Sequence, residues 1–446
     1  MNYLNSAPLA AMLEGLQQGQ HSLSIYLEQM CRRIDQIDPN IHAFLPESNR
    51  LERLRKEAAL LREHYPERMN LPPLFGAMVG VKDVFHIDGV VTRAGSEVPP
   101  EAFAGEEATV VKMLRNAGAF IAGKTVTTEF AFIEPGPTRN PHNTAHTPGG
   151  SSSGSAAAVA AGMCNLALGT QTIGSVIRPA AYCGIVGFKP SFDRIPTQGL
   201  VYFSPTIDHV GLFTQDVAGM ALAASILCRG WQGSLEEDDE SVVSGLPVLG
   251  VPDGPYLAQT DPAALAVFEE ILLMLQVAGC TVKRVAALED IDELNTQHRR
   301  LVFGEFAREH AQIFAQHEAR YRPRTAEAIR TGMTVSDEEL AKLQQSPKQV
   351  REKLQALMAA EEIDLWVCPA ATGPAPVGLN STGDSNMNLP WTHAGMPAIT
   401  LPAGRAQNGM PLGLQLVAPF EADEQLLAWA TLVMERVPEP VDADYS

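Results

Sequence analysis

The sequence predicts an α/β fold with a helical arm at its N-terminus, on three observations. Residues 5–65 space apolar positions among charges at helical intervals, and from residue 74 short apolar runs alternate with amphipathic helices. After a long helical stretch, three further apolar runs bring the chain back to a sheet.

Taken in order, SLSIYLEQMCRRI and LERLRKEAALLREH form the arm, with a turn at DPN between them. LFGAMVGVKDVF reads as a strand that ends at Lys82, EEATVVKMLRNAG as an amphipathic helix and AFIAGKT as the next strand. Residues 149–200 break this rhythm. They are so dense in Gly and Ser that they read as too small and too polar for packed core, which points to function or flexibility. The acidic segment at residues 233–247, GSLEEDDESVVSGLP, reads as an exposed connection before the strand PVLGVP. DPAALAVFEEILLMLQVAGC is a capped amphipathic helix leading to the strand TVKRVA, residues 290–360 are mainly helical, and DLWVCPA, PAITLPAG and LGLQLVAP are strands.

A length of 446 residues allows two or three domains or one large α/β unit. The net charge of -19 repels phosphate backbones, so a nucleic-acid partner is not expected. No run of 18 apolar residues occurs, and the N-terminus has neither a basic region nor a continuous apolar one; the expectation is a cytoplasmic protein with no membrane partner. Six cysteines without C-x-x-C spacing read as buried free thiols. The eleven histidines show no ligand spacing, so neither a metal nor another cofactor is expected.

Two motifs mislead. Gly118 to Thr125 has phosphate-loop spacing, but a helix precedes it and Ala, Phe, Ile and Ala fill the turn, so it reads as a helix stop and a strand. Gly150 to Gly154 matches the nucleophile-elbow pattern, yet RNPHNTAHTPGG precedes it where an apolar strand is required. His209 and His393 could complete a triad in that reading; both are expected to be structural or substrate-lining.

Three segments together carry the chemistry: GVKDVF with Lys82, TPGGSSSGSAAAVAAG with Ser151 to Ser153, and LGTQTIGSVIRPAAYCGIVGFKPS with Ser175. On these residues the chain resembles the amidase signature family, over about 71–230 and, less specifically, about 364–418. The resemblance implies one α/β/α domain over residues 1–446 with a large mixed central sheet. Residues 1–70 would be the arm, 71–230 the catalytic core, 233–247 the acidic connection, and 248–446 the rest of the sheet with the substrate-pocket helices. It further implies a catalytic set of Lys82, Ser151 held by a cis peptide bond, and the nucleophile Ser175. The backbone of Thr172, Ile173, Gly174 and Ser175 would form the oxyanion hole, and Gly150, Ser153, Thr170 and Arg178 would line the substrate. Most family members have glycine at the place of Ile173, and a β-branched residue resists positive φ.

The chemistry follows from the residues as well. A serine hydroxyl is a weak nucleophile until a base takes its proton, and with no evident triad the lysine is the candidate. It must be neutral, so its pKa must fall by a few units through burial or nearby positive charge. Ser151 would pass the proton and return it to the leaving nitrogen. Arg178 offers a planar fork suited to a carboxylate, unless it only braces the loop. Its place three residues after Ser175, with GTQT before and STGD at Ser381 to Asp384, is similar to malonamidases within the family. The expected substrate is therefore a small amide such as malonamate. Allophanate, ureido acids, neutral amides, or glutamine within a tRNA-dependent amidotransferase are the alternatives. Oligomeric state is not readable, and the resemblance allows a homodimer built with the arm.

Overall fold

The computed structural model describes residues 3–232, 243 and 245–437, so all of the acidic connection at 233–247 except Val243 and 245–247 lies outside the described residues. The arm is α1 (Leu9–Gln17), α2 (Leu23–Ile41) and α3 (Arg50–His64). The expected DPN turn is corrected: Pro39 sits in the last turn of α2, and the chain reverses after it at left-handed His42, φ 56°. Asp38 makes this possible, because its carboxylate accepts the amides of Ala43 (2.7 Å) and Phe44 (3.2 Å) just past the helix end.

The chain then runs through β1 (Met78–Lys82), α4 (Thr109–Asn116), β2 (Phe120–Thr125), α5 (Ser153–Ala160), β3 (Leu166–Gln171), α6 (Ile177–Cys183), β4 (Val186–Lys189), β5 (His209–Thr214) and α7 (Val217–Leu227). After the acidic connection come β6 (Val248–Asp253), α8 (Pro262–Val277), β7 (Thr281–Ala286), α9 (Ile291–Glu309), α10 (Ala311–His317), α11 (Pro323–Met333), α12 (Asp337–Leu343) and α13 (Ser346–Ala360). The return to the sheet is β8 (Leu365–Pro369), α14 (Leu389–His393), β9 (Ala398–Arg405), β10 (Pro411–Val417) and α15 (Asp423–Met434).

The ten strands among the described residues form one mixed sheet, ordered β2-β1-β3-β5-β4-β9-β10-β8-β6-β7. Strands from both sides of the acidic connection share it, which makes the molecule a single-domain α/β fold. β1 is parallel to β2 and β3, and β6 to β7 and β8, while the pairings between these two parallel groups are antiparallel. Period-two alternation feeds both faces. Leu365 and Val367 of β8 enter one core, and Trp366 and Cys368 enter the core on the other face.

The reading of residues 149–200 as unsuited to packed core is overturned. Every residue of α5 is buried, and so is every residue of β3. Small side chains are what permit this, since they let backbones approach. A Cβ on Gly154 would stand 2.4 Å from the Ala43 carbonyl oxygen, and one on Gly169 would stand 2.6 Å from the Phe213 ring. Two buried hydroxyls of the segment are paired with backbone: Ser155 Oγ donates to Leu168 O (2.8 Å) and Ser152 Oγ to Thr170 O (3.2 Å). All six cysteines are buried and unpaired. Among the described residues no helix is long and apolar enough to cross a membrane.

Candidate active site

The site lies beyond the carboxyl ends of the parallel strands β1 and β3, where ligands collect in α/β sheets. Lys82 ends β1 with no solvent exposure, and its Nζ donates to Ser151 Oγ and Thr170 Oγ1, each at 2.7 Å. Burial strips water from the ammonium and lowers its pKa from 10.5 to about 7, with the Asp208 carboxylate pulling the other way. A buried lysine at that value can take a proton near neutrality.

Ser151 stands just before α5, at the end of a turn made by Gly149 (φ 84°) and Gly150 (φ 64°). Only glycine fits at either place. A Cβ on Gly149 would reach 2.4 Å from the Tyr182 ring, and one on Gly150 would reach 2.8 Å from Pro179 and 3.2 Å from Ser175 Cα. That close approach brings the two serines together: the Ser151 amide donates to Ser175 Oγ at 3.0 Å. The cis peptide bond implied at Ser151 is corrected, for there is none among the described residues; the two left-handed glycines turn the chain instead.

Ser175 lies on the loop from β3 to α6, and side chains that the sequence reading missed hold this loop. Gln171 Oε1 accepts the amides of Val176 (2.8 Å) and Ile177 (3.0 Å), while its Nε2 donates to Thr392 Oγ1 (2.8 Å). Thr392 Oγ1 in turn donates to the Ile173 carbonyl at 2.6 Å, and His298 Nε2 donates to the Thr172 carbonyl at 3.1 Å. Thr172 Oγ1 donates to buried Asp208 Oδ1 at 2.5 Å, and burial raises the Asp208 pKa to about 6. The loop carbonyls thus face the protein, and the amides of Ile173, Gly174 and Ser175 find no acceptor among the described residues. Neither Ile173 nor Gly174 has positive φ, so the β-branched residue costs the loop nothing in backbone strain. Ile173 packs half-buried against the cluster that holds Tyr256 and Trp391. Gly174 is needed for space, since its Cβ would meet Asn388 Oδ1 at 2.3 Å.

Among the residues expected to line substrate, Gly150 donates its amide to Thr382 O (3.3 Å), and Ser153 Oγ is buried without a partner in a small cavity beside Gly150 and Thr382. Thr170 is placed differently, its hydroxyl turned to Lys82. Arg178 is 5% exposed; Nη1 donates to the Gly383 carbonyl at 2.6 Å and Nε is buried with no partner. Burial lowers its pKa, against the pull of Tyr182 and Asp384.

The misleading motifs resolve structurally. Gly118 and Ala119 connect α4, which ends at Asn116, to β2 (Phe120–Thr125), and Lys124 Nζ pairs with Asp83 Oδ1 at 3.0 Å in the interior. His209 Nδ1 donates to Ile207 O (2.6 Å), while His393 meets His298 (3.0 Å) and Ser346 Oγ (2.9 Å); among the described residues no histidine bonds Ser151 or Ser175. Among the same residues no group of three His, Cys, Asp or Glu could hold a metal ion. Of the missed residues, Gln171 lies inside the GTQT that the sequence reading singled out, whereas Asp208, His298 and Thr392 reach the loop from distant segments and give no local signal.

Known proteins match along nearly the whole chain. The Amidase family pattern matches residues 26–427. One component of the glutamyl-tRNA(Gln) amidotransferase from Synechococcus sp. (strain RCC307) is 29% identical, covering 94% of this chain and 95% of its own. AtzE from Pseudomonas sp. (strain ADP), part of a 1-carboxybiuret hydrolase, is 31% identical, covering 91% and 93%. A crystal structure of an amidase superposes with a TM-score of 0.85 at 29% identity, covering 97% of this chain and 100% of that one.

Proposed function

From the premise that this chain belongs to the amidase family and is a hydrolase of C–N amide bonds, we propose that it works through an acyl-enzyme on Ser175, with Lys82 as base and Ser151 as proton relay. The observation that carries this is the buried Lys82 Nζ, 2.7 Å from Ser151 Oγ, with the Ser151 amide 3.0 Å from Ser175 Oγ. Neutral Lys82 draws the proton of Ser151, which draws that of Ser175 as its oxygen attacks the amide carbon. The tetrahedral oxygen is met by the free amides of the loop from Ile173 to Ser175, each such donor contributing about 3 kcal/mol. The proton returns through Ser151 to the nitrogen as the C–N bond breaks, and water then supplies a hydroxyl to the acyl carbon and a proton to Ser175.

The substrate in this reading is a small carboxylate-bearing amide such as malonamate. Arg178 supports it: a nearly buried guanidinium with one carbonyl partner and an unpaired Nε keeps donors for a carboxylate. The test is ammonia release from malonamate, allophanate, malonamide and a neutral aliphatic amide, with Ser175→Ala protein as blank. Malonamate or allophanate should be preferred, and a preference for neutral amides would remove the carboxylate from the pocket. A second reading, a partner-dependent glutaminase, is favoured by the amidotransferase relative; ammonia from glutamine only when a partner is added would support it. The reading places the protein in the cytoplasm, in keeping with its buried unpaired thiols. A homodimer through the arm is supported by Ile25 and Leu60, apolar yet exposed on α2 and α3, and sedimentation tests it.

A further inference from the structure

Past the carboxyl end of β2 the surface opens into a cleft of about 720 Å³, lined by polar and apolar residues alike, that the proposed catalytic steps leave unused. Its lining includes Thr127, Glu134, Arg322, Arg324 and Asn380. Thr127 is 3% exposed, and its buried Oγ1 has no hydrogen-bond partner. A shielded hydroxyl without a partner is costly and points to a ligand atom that completes it.

The charges around the cleft single out one residue. Glu134 accepts the Arg324 amide at 2.7 Å and lies 3.5 Å from Arg322 Nη2, and Asp83 is taken by Lys124 at 3.0 Å. The Arg324 guanidinium has no carboxylate within 4 Å among the described residues; Nη1 donates only to the Asn380 carbonyl at 3.3 Å. It is exposed, on the first turn of α11, and keeps most of its donors.

The position of the cleft fixes which half of a substrate it can take. Thr128, next to Thr127, donates its amide to the Ser151 carbonyl at 3.3 Å. The cleft also shares Pro135, Gly136 and Leu379 with the small cavity that holds Ser153 and Gly150. Ser151 is the group that hands a proton to the departing nitrogen, so a substituent on that nitrogen extends along this wall. We propose that the cleft is a leaving-group subsite for an amine bearing a carboxylate, with Arg324 pairing the carboxylate and Thr127 Oγ1 bonding a polar atom of the amine half. The proposal rests on the roles assigned to Ser151 and Ser175, and extends the reaction from primary amides to amides of amino acids.

The experiment compares kcat/KM for malonylglycine, malonylethanolamine and malonamate, and measures malonylglycine binding by calorimetry to the Ser175→Ala protein. Malonylglycine should exceed malonylethanolamine at least tenfold, and Arg324→Gln should bring the two level, mainly through KM, with Arg324→Lys recovering part of the preference. Equal values for the two in the wild type, with malonamate still cleaved, would overturn the subsite and leave the amidase reading standing. Absence of turnover, combined with calorimetric binding that Arg324→Gln weakens tenfold, would uphold the subsite and overturn the proposed catalysis. Neither turnover nor binding would overturn both.

Discussion

Two lysines of this protein share an electrostatic setting and differ in what they touch. Lys82 and Lys189 are both fully buried at strand ends, and burial lowers each from 10.5 to about 7, against a single carboxylate, Asp208 for one and Asp423 for the other. Lys82 Nζ meets two hydroxyls, Ser151 Oγ and Thr170 Oγ1. Lys189 Nζ meets two carbonyls, Pro190 O at 3.0 Å and Met396 O at 2.6 Å. A hydroxyl can surrender a proton to a neutral amine, and a carbonyl has none to give. A lowered pKa therefore makes a lysine available as a base, and the partner decides whether there is anything for it to do.

The variants that break this comparison run from large effects to small. Lys82→Met should lower kcat/KM by about 10³-fold, the scale of a lost general base, in a protein whose circular dichroism is unchanged. Lys189→Met should leave kcat/KM within twofold but destabilise the fold by roughly 1–3 kcal/mol, because two buried carbonyls lose their donor; urea titration reads this, and a large kinetic loss would mean the lysines are not distinguished by partner. Thr170→Val, which deletes one of the hydroxyls on Lys82, should cost up to about tenfold in kcat/KM, the scale of one hydrogen bond between neutral groups.

The pH dependence sharpens the same contrast. Lys82 must be neutral to accept a proton, so kcat/KM should fall below pH about 7 in the wild type. Asp208 holds the Lys82 pKa up, so Asp208→Asn should move that acid limb to lower pH; a limb that stays put would remove the carboxylate from the control of the base. Stability gives an independent reading. The folded chain releases each lysine proton near 7 while the unfolded chain keeps it to about 10.5, so each contributes a rise in stability with pH across that window. Either Lys→Met variant should make the slope shallower by about 1.4 kcal/mol per pH unit relative to wild type.

The amino-acid sequence by itself determined the alternation of strands and helices, the family, and the three segments that carry Lys82, Ser151 and Ser175, because hydrophobic period and close motif spacing are local properties. It misjudged residues 149–200, since composition records that the side chains are small and polar but not that Gly154 and Gly169 sit within contact of other backbones and rings. It placed a turn at DPN because proline usually breaks a helix, while Asp38 caps the amides that follow. Tertiary structure alone decided the rest. The brace on the Ser175 loop comes from Asp208, His298 and Thr392, up to 219 positions away in the chain, and the difference between Lys82 and Lys189 is which oxygens the fold brings to each amine. Desolvation and hydrogen bonding are set by neighbours in space, and a linear pattern carries no record of them until the sheet closes.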